Sequence, residues 1–236
     1  MQVIDVPARA GAGWIGQAWK MFIGQPVGWI SMLSCWALLT VTIFVVVPVI
    51  GPAIGTMLQP GLFAGFMIAA RDQEKGVPVT VSQLFSGFRF NGRALLALGS
   101  ITLLAELLAM IILSMLGFPR TMTLEANGLP NVRAYMEQLD GREWLLFAAP
   151  ALAMLIKGIL WFATPLLAFH PMRVSHAVRW SFYAFIGNFL PMLMLGILMF
   201  GIFFLAAIPM LLGLLVAMPI YALVHYVSYR QVFRPD

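Results

Sequence analysis

Charge is scarce in this sequence. Only 10% of its 236 residues are Asp, Glu, Lys or Arg, where a soluble domain carries roughly 25%. With 61% hydrophobic residues, too little polar material is left to cover a soluble exterior, so lipid must solvate much of the surface. Cysteine is nearly absent: Cys35 stands alone, which excludes an intramolecular disulfide and a thiolate metal cluster, and it reads as a small hydrophobe. Catalytic patterns are missing as well. There is no Gly-x-Ser-x-Gly, no phosphate-binding glycine loop, no His-Glu-x-x-His and no catalytic paired-acid motif. The three histidines, His170, His176 and His225, do not combine at ligand spacing. No metal, no cofactor and no enzymatic activity are expected. The net charge of +5 is scattered between apolar runs rather than gathered into a basic stripe, so no nucleic-acid partner is expected either. The N-terminus has Asp5, Arg9 and Lys20 before a long apolar stretch, which predicts a retained end rather than a cleaved signal peptide.

What the sequence does have is long uncharged runs. Met21 to Ala70, between Lys20 and Arg71, holds fifty residues without a formal charge. One helix of that length would measure about 75 Å, against a hydrocarbon core of about 30 Å. The run must cross twice, turning at Pro48-Val-Ile-Gly-Pro52. A second run of equal length, Trp180 to Tyr229, lies between Arg179 and Arg230. Spans are expected at about 27–47, 53–70, 94–117, 144–169, 189–208 and 212–227. Before each odd-numbered span lies an amphipathic stretch. In 12–25, Trp14, Ile15, Ala18, Trp19, Phe22 and Ile23 share a helical stripe opposite Gln17 and Lys20. Thr80-Val-Ser-Gln83 reads as a capping box, followed by Val81, Leu84, Phe85 and Phe88 on one face. In 170–188, Val174, Ala177, Val178, Phe182 and Phe185 face one way, with Ser175, His176 and Arg179 opposite. A short surface helix is predicted around 132–139, capped by Asn131 and stopped by Gly141.

The fold class is therefore all-α: a polytopic membrane bundle of six transmembrane helices in three hairpins, each preceded by an interfacial helix. Orientation follows from Lys and Arg. Arg9, Lys20, Arg71, Lys75, Arg89, Arg93, Arg173, Arg179, Arg230 and Arg234 fall on one side of this layout, and Arg120, Arg133 and Arg142 on the other. Both termini are expected in the cytoplasm. A single membrane domain, 1–236, carries an internal repeat. Phe22-Ile-Gly-Gln25 matches Phe185-Ile-Gly-Asn188, and Pro60, Pro165 and Pro219 each lie eleven residues before Arg71, His176 and Arg230. Pseudo-repeats of about 12–71, 80–172 and 173–230 follow.

Several of these segments resemble a family of uncharacterised bacterial inner-membrane proteins. They are Asp5-Val-Pro-Ala-Arg9 with Gly13-Trp14-Ile15, the Pro48–Pro52 turn, Pro60-Gly61, Leu84-Phe-Ser-Gly-Phe88 and Arg93-Ala-Leu-Leu-Ala97. In layout the chain is similar, more loosely, to the membrane domain attached to some glycerophosphodiester phosphodiesterases, without any counterpart of their catalytic domain. The first resemblance implies a bacterial cytoplasmic membrane and six spans, and supplies no activity.

Three candidate sites remain. Glu106 and Lys157 are the only formal charges inside expected spans. They form either a structural pair fixing the register of neighbouring spans, or a relay or solute site, or two groups reaching water or lipid separately. Gly51, Gly55, Gly61 and Gly65 make small-xxx-small pairs suited to close helix packing, within the chain or between copies. Lys20, Arg89, Arg173 and Arg179 on the interfacial helices would meet anionic headgroups. The function expected is a non-enzymatic membrane protein acting through lipid or protein contacts at those helices, with lipids and a second copy or a membrane-protein partner as candidates. The alternative is a small transporter or channel using Glu106 and Lys157.

Overall fold

The computed structural model describes residues 2–119 and 131–233; Arg120 and Arg234, used above for orientation, lie outside them. Among the described residues there are ten α-helices, one short 3-10 helix and no strand. The first helix, α1 (Ala10–Gly24), breaks at Gln25 and leads into α2 (Pro26–Val46). Proline at the first position suits a helix start, because the missing N–H has no intrahelical partner there. After the turn at 47–50, α3 (Gly51–Glu74) runs back. The expected capping box is present: the backbone N–H of Thr80 donates to Gln83 Oε1 at 2.8 Å, opening the 3-10 helix Val81–Phe85. α4 (Ser86–Met115) follows with a bend at Asn91 (φ −147°, ψ 44°). The expected surface helix is α5 (Val132–Gln138), whose cap Asn131 accepts from Ala134 N at 2.9 Å. Gly141 (φ 72°) follows it.

The fourth expected span is divided into α6 (Leu145–Ile159) and α7 (Ala163–Phe169). Pro165 has no N–H to give to residue 161 and its ring crowds that carbonyl, so the helix parts there. The freed backbone groups are met by Ser181, whose Oγ accepts from Phe162 N at 3.0 Å and donates to Ile159 O at 2.6 Å. Ser181 belongs to α8 (Val174–Gly187), which breaks at Asn188 before α9 (Phe189–Ala207). The last helix is α10 (Leu214–Phe233).

Five stretches are long and apolar enough to cross a membrane: 26–46, 51–74, 81–115, 145–169 and 189–207. α10 does not join them because its own sequence is too polar, and its position shows how the bundle accommodates that. Thirteen of its twenty residues are buried, including His225, Ser228, Tyr226 and Tyr229. A helix enclosed by protein can carry polar side chains that a lipid-facing helix cannot. The core is centred on α3, α7 and α10, where Pro60, Pro165 and Pro219 are all buried, and α1, α4 and α8 add Trp14, Leu95 and Phe185 to it. Outside it, α2, α4, α6 and α9 expose Leu38, Val41, Leu104, Leu108, Phe147 and Phe200. In water such a surface would be an aggregation hazard, and in a bilayer it is the solvent-matched face.

Candidate functional site

The described termini meet at one end of the bundle, where Ile4 N donates to Val232 O at 2.9 Å. This end carries the basic residues and is knitted by amide side chains at three helix breaks. Gln25 Oε1 accepts from Val79 N at 2.7 Å. Asn91 Nδ2 donates to Leu167 O at 3.1 Å. Asn188, fully buried, accepts from Val6 N at 2.9 Å and donates to Ile4 O at 3.2 Å. Each break thus frees a polar side chain to pin another segment, which satisfies backbone groups that no helix holds. Farther round the same end, Tyr226 Oη donates to Glu74 at 2.6 Å, and Arg230 pairs with the other oxygen of that carboxylate. Gln17 accepts from Arg230, so α1 is tied to the ends of α3 and α10. His170 Nε2 meets Tyr229 Oη at 2.7 Å, and burial holds the His170 pKa below its ordinary 6.5.

The amphipathic stripes read from the sequence are divided between two environments. On α1, Trp14, Ala18 and Phe22 are buried, whereas Trp19 and Ile23 are exposed. Leu84 is buried beside exposed Phe85 and Phe90. On α8, Ala177, Ala184 and Phe185 face inward and Phe182 and Ile186 outward. Beside these outward rings and aliphatic groups lie Lys20, Arg89, Arg173 and Arg179, all exposed. Among the described residues none of the four is in an ion pair. Free cations next to exposed apolar groups form a surface suited to the headgroup layer.

Glu106 and Lys157 come together on α4 and α6: Lys157 Nζ donates to Glu106 Oε1 at 3.0 Å. The pair does not face the core. The Lys157 side chain is 51% exposed and that of Glu106 34%, on the outer flank of the α4–α6 hairpin. Beside Glu106 opens a cleft of about 290 Å³ lined largely by Ala109, Met110, Ala149, Ala153 and Ile156. At mid-span an unpaired charge costs about 2.5–3.5 kcal/mol on insertion scales, and mutual pairing offsets part of that cost.

The four glycines of α3 all lie against the same chain. A Cβ on Gly51 would sit 2.6 Å from Ile43 O, and one on Gly55 2.8 Å from the Phe44 ring. Gly61 abuts the Phe88 ring and Gly65 the Leu84 carbonyl. An interior aromatic cluster forms around His225, which the spacing of the three histidines does not reveal. His225 stacks on Trp161 with ring centroids 3.4 Å apart, edged by Phe63 and Tyr221. Trp161 Nε1 donates to Ser228 Oγ at 3.0 Å. The available signal was Tyr221, His225 and Ser228 at intervals of four and three on one helical face. Among the described residues no group of three His, Cys, Asp or Glu side chains could hold a metal ion.

These features define an integral membrane helical bundle with a polar, cation-bearing end. Compared with known proteins, the chain is 31% identical over 187 residues to a probable inner membrane protein of Burkholderia thailandensis, covering 77% of this chain and 68% of that one. The chain belongs to the family of that inner membrane protein. No family model matches the sequence, and no solved structure matches it.

Proposed function

We propose that the protein is a non-enzymatic, six-span inner-membrane protein with both termini in the cytoplasm. Its three interfacial helices would work by engaging anionic lipid headgroups. The observation that carries this reading is the exposure of Lys20, Arg89, Arg173 and Arg179 beside Trp19, Ile23, Phe85, Phe90, Phe182 and Ile186 at the end where the described termini meet. α10 supplies the sixth span, its polar groups enclosed by the bundle. The layout is read as three modules, 12–71, 80–172 and 173–230. Support for this comes from the three amide-bearing breaks at Gln25, Asn91 and Asn188 and from the buried Pro60, Pro165 and Pro219 at matching places in α3, α7 and α10.

The test is the lipid dependence of stability. In vesicles containing phosphatidylglycerol the wild type is expected to melt higher than in purely zwitterionic vesicles. Each surface cation contributes about 1 kcal/mol. Replacing all four by Gln should remove most of that difference. An unchanged difference in the variant would overturn the reading.

Transport through a Glu106/Lys157 site is the second reading, favoured by the cleft beside Glu106. It requires water at mid-span. With Cys35 replaced by Ser, a Cys at position 106 should then react with a membrane-impermeant thiol reagent in sealed vesicles, and protection would remove this reading.

A further inference from the structure

We propose that the outer flank of α4 and α6 is the seat of a second copy of this chain. The two copies would be joined about a twofold axis along the membrane normal. The inference rests on the six-span layout proposed above and adds the partner.

Three observations lead to it. First, the distal part of this hairpin has almost no interior: from residue 101 to residue 157, Leu139 and Leu145 are the only buried residues among those described. Second, the ion pair within its two long helices, Lys157 with Glu106, stays partly exposed among the described residues, at 51% and 34%. Glu106 lies nine residues from the end of α4 at Met115, about 13 Å in depth, too far for a headgroup at the membrane surface to reach. Third, Ala109, Ala149 and Ala153 line the cleft beside the pair together with larger apolar residues such as Met110, Leu113 and Ile156, and the small side chains leave room for a neighbouring helix to approach.

Charge selects a second copy as the occupant. Glu106 and Lys157 touch, so they lie at one depth on adjacent, antiparallel helices. Rotation by half a turn about the membrane normal keeps that depth and sets α4 of one copy against α6 of the other. Each Glu106 then meets the partner copy's Lys157, and a two-charge pair becomes a closed ring of four. An isologous interface needs a self-complementary patch, and an adjacent plus and minus at equal depth is one.

The pairing is tested with charge reversals in differently tagged chains, co-expressed and solubilised in native lipid nanodiscs. Wild-type chains should co-purify. Glu106→Lys alone would set four lysines face to face, and Lys157→Glu alone four glutamates, so each should fail to self-associate. Glu106→Lys together with Lys157→Glu should co-purify again, because every contact across the axis is then between opposite charges. Reversed chains that still self-associate, or reversed chains that do not recover each other, overturn the proposal. Should a reversed chain fail to fold, disulfide trapping in native membranes decides. In a Cys35→Ser background, an Ala109→Cys chain should cross-link to an Ala153→Cys chain. Absence of that dimer, or a cross-link to a different protein, overturns the proposal. A topology assay placing residue 141 in the cytoplasm would instead remove the six-span layout beneath it.

Discussion

Asn188 concentrates the logic of the basic end in one side chain. Helix geometry is abandoned at this residue (φ −112°, ψ 33°), and its amide then holds two backbone groups of the N-terminal segment, Val6 N and Ile4 O. Asn188→Ala would leave those groups without partners in a buried site, a loss of about 1–3 kcal/mol. We expect a lowered melting temperature and faster proteolysis at the N-terminal segment, measured in detergent. Asn188→Asp should keep the bond from Val6 and lose the one to Ile4, giving an intermediate loss. The match of Phe22-Ile-Gly-Gln25 with Phe185-Ile-Gly-Asn188 is visible in the sequence, and both motifs end helices. The part played by Asn91 is not visible there, because no such motif surrounds it and its partner, Leu167, is 76 residues away. Glu106 and Lys157 stood out by composition alone, as charges amid apolar residues. Which way they face was not legible, since that depends on how α4 and α6 are rotated about their axes.

Among the elements, α3 shows how closely packing and sequence pattern are linked. Glycines at 51, 55, 61 and 65 place a bare ridge against α2 on one part and against the 3-10 helix and α4 on another. Small residues permit such contact in lipid, where dispersion and packing replace the hydrophobic drive. A methyl group at Gly65 would collide with the Leu84 carbonyl, a backbone atom that cannot swing aside. Gly65→Ala should therefore destabilise by about 1–3 kcal/mol. Gly201→Ala, on α9, meets nothing within 4 Å and serves as the control in the same denaturant titration. Ala is the better helix former at both sites, so equal effects of the two substitutions would show that the contact at Gly65 sets no cost. The glycine spacing pointed to packing, but not to its partners, which only the meeting of α3 with α2, the 3-10 helix and α4 supplies. Likewise the sequence shows a proline in each descending helix, yet α3 and α10 stay continuous while the helix at Pro165 parts. Ser181 of α8 makes the difference by holding both freed ends.

At the scale of the whole molecule, the end where the described termini meet is basic and tied together by side-chain hydrogen bonds. If that end is cytoplasmic, Gly141→Cys in a Cys35→Ser background should be labelled from the outside of intact spheroplasts. Gly76→Cys, in the connection after α3, should be labelled only after lysis; the reverse pattern would invert the layout. Apolar runs, their lengths and the bracketing charges determined without coordinates that the chain is helical, membrane-embedded and folded back on itself, because the bilayer imposes length and polarity on each segment separately. Five of the six expected spans meet that demand by themselves. The sixth, α10, is polar enough to miss it, since His225, Tyr226 and Tyr229 are shielded by neighbouring helices and not by any property of their own segment. Which helices form the core, which face of each amphipathic stripe meets protein, and that Glu106 and Lys157 look outward were decided only by tertiary packing. Those outcomes depend on the rotation and placement of one helix against another, and a periodic pattern of apolar residues marks a face without naming what will cover it.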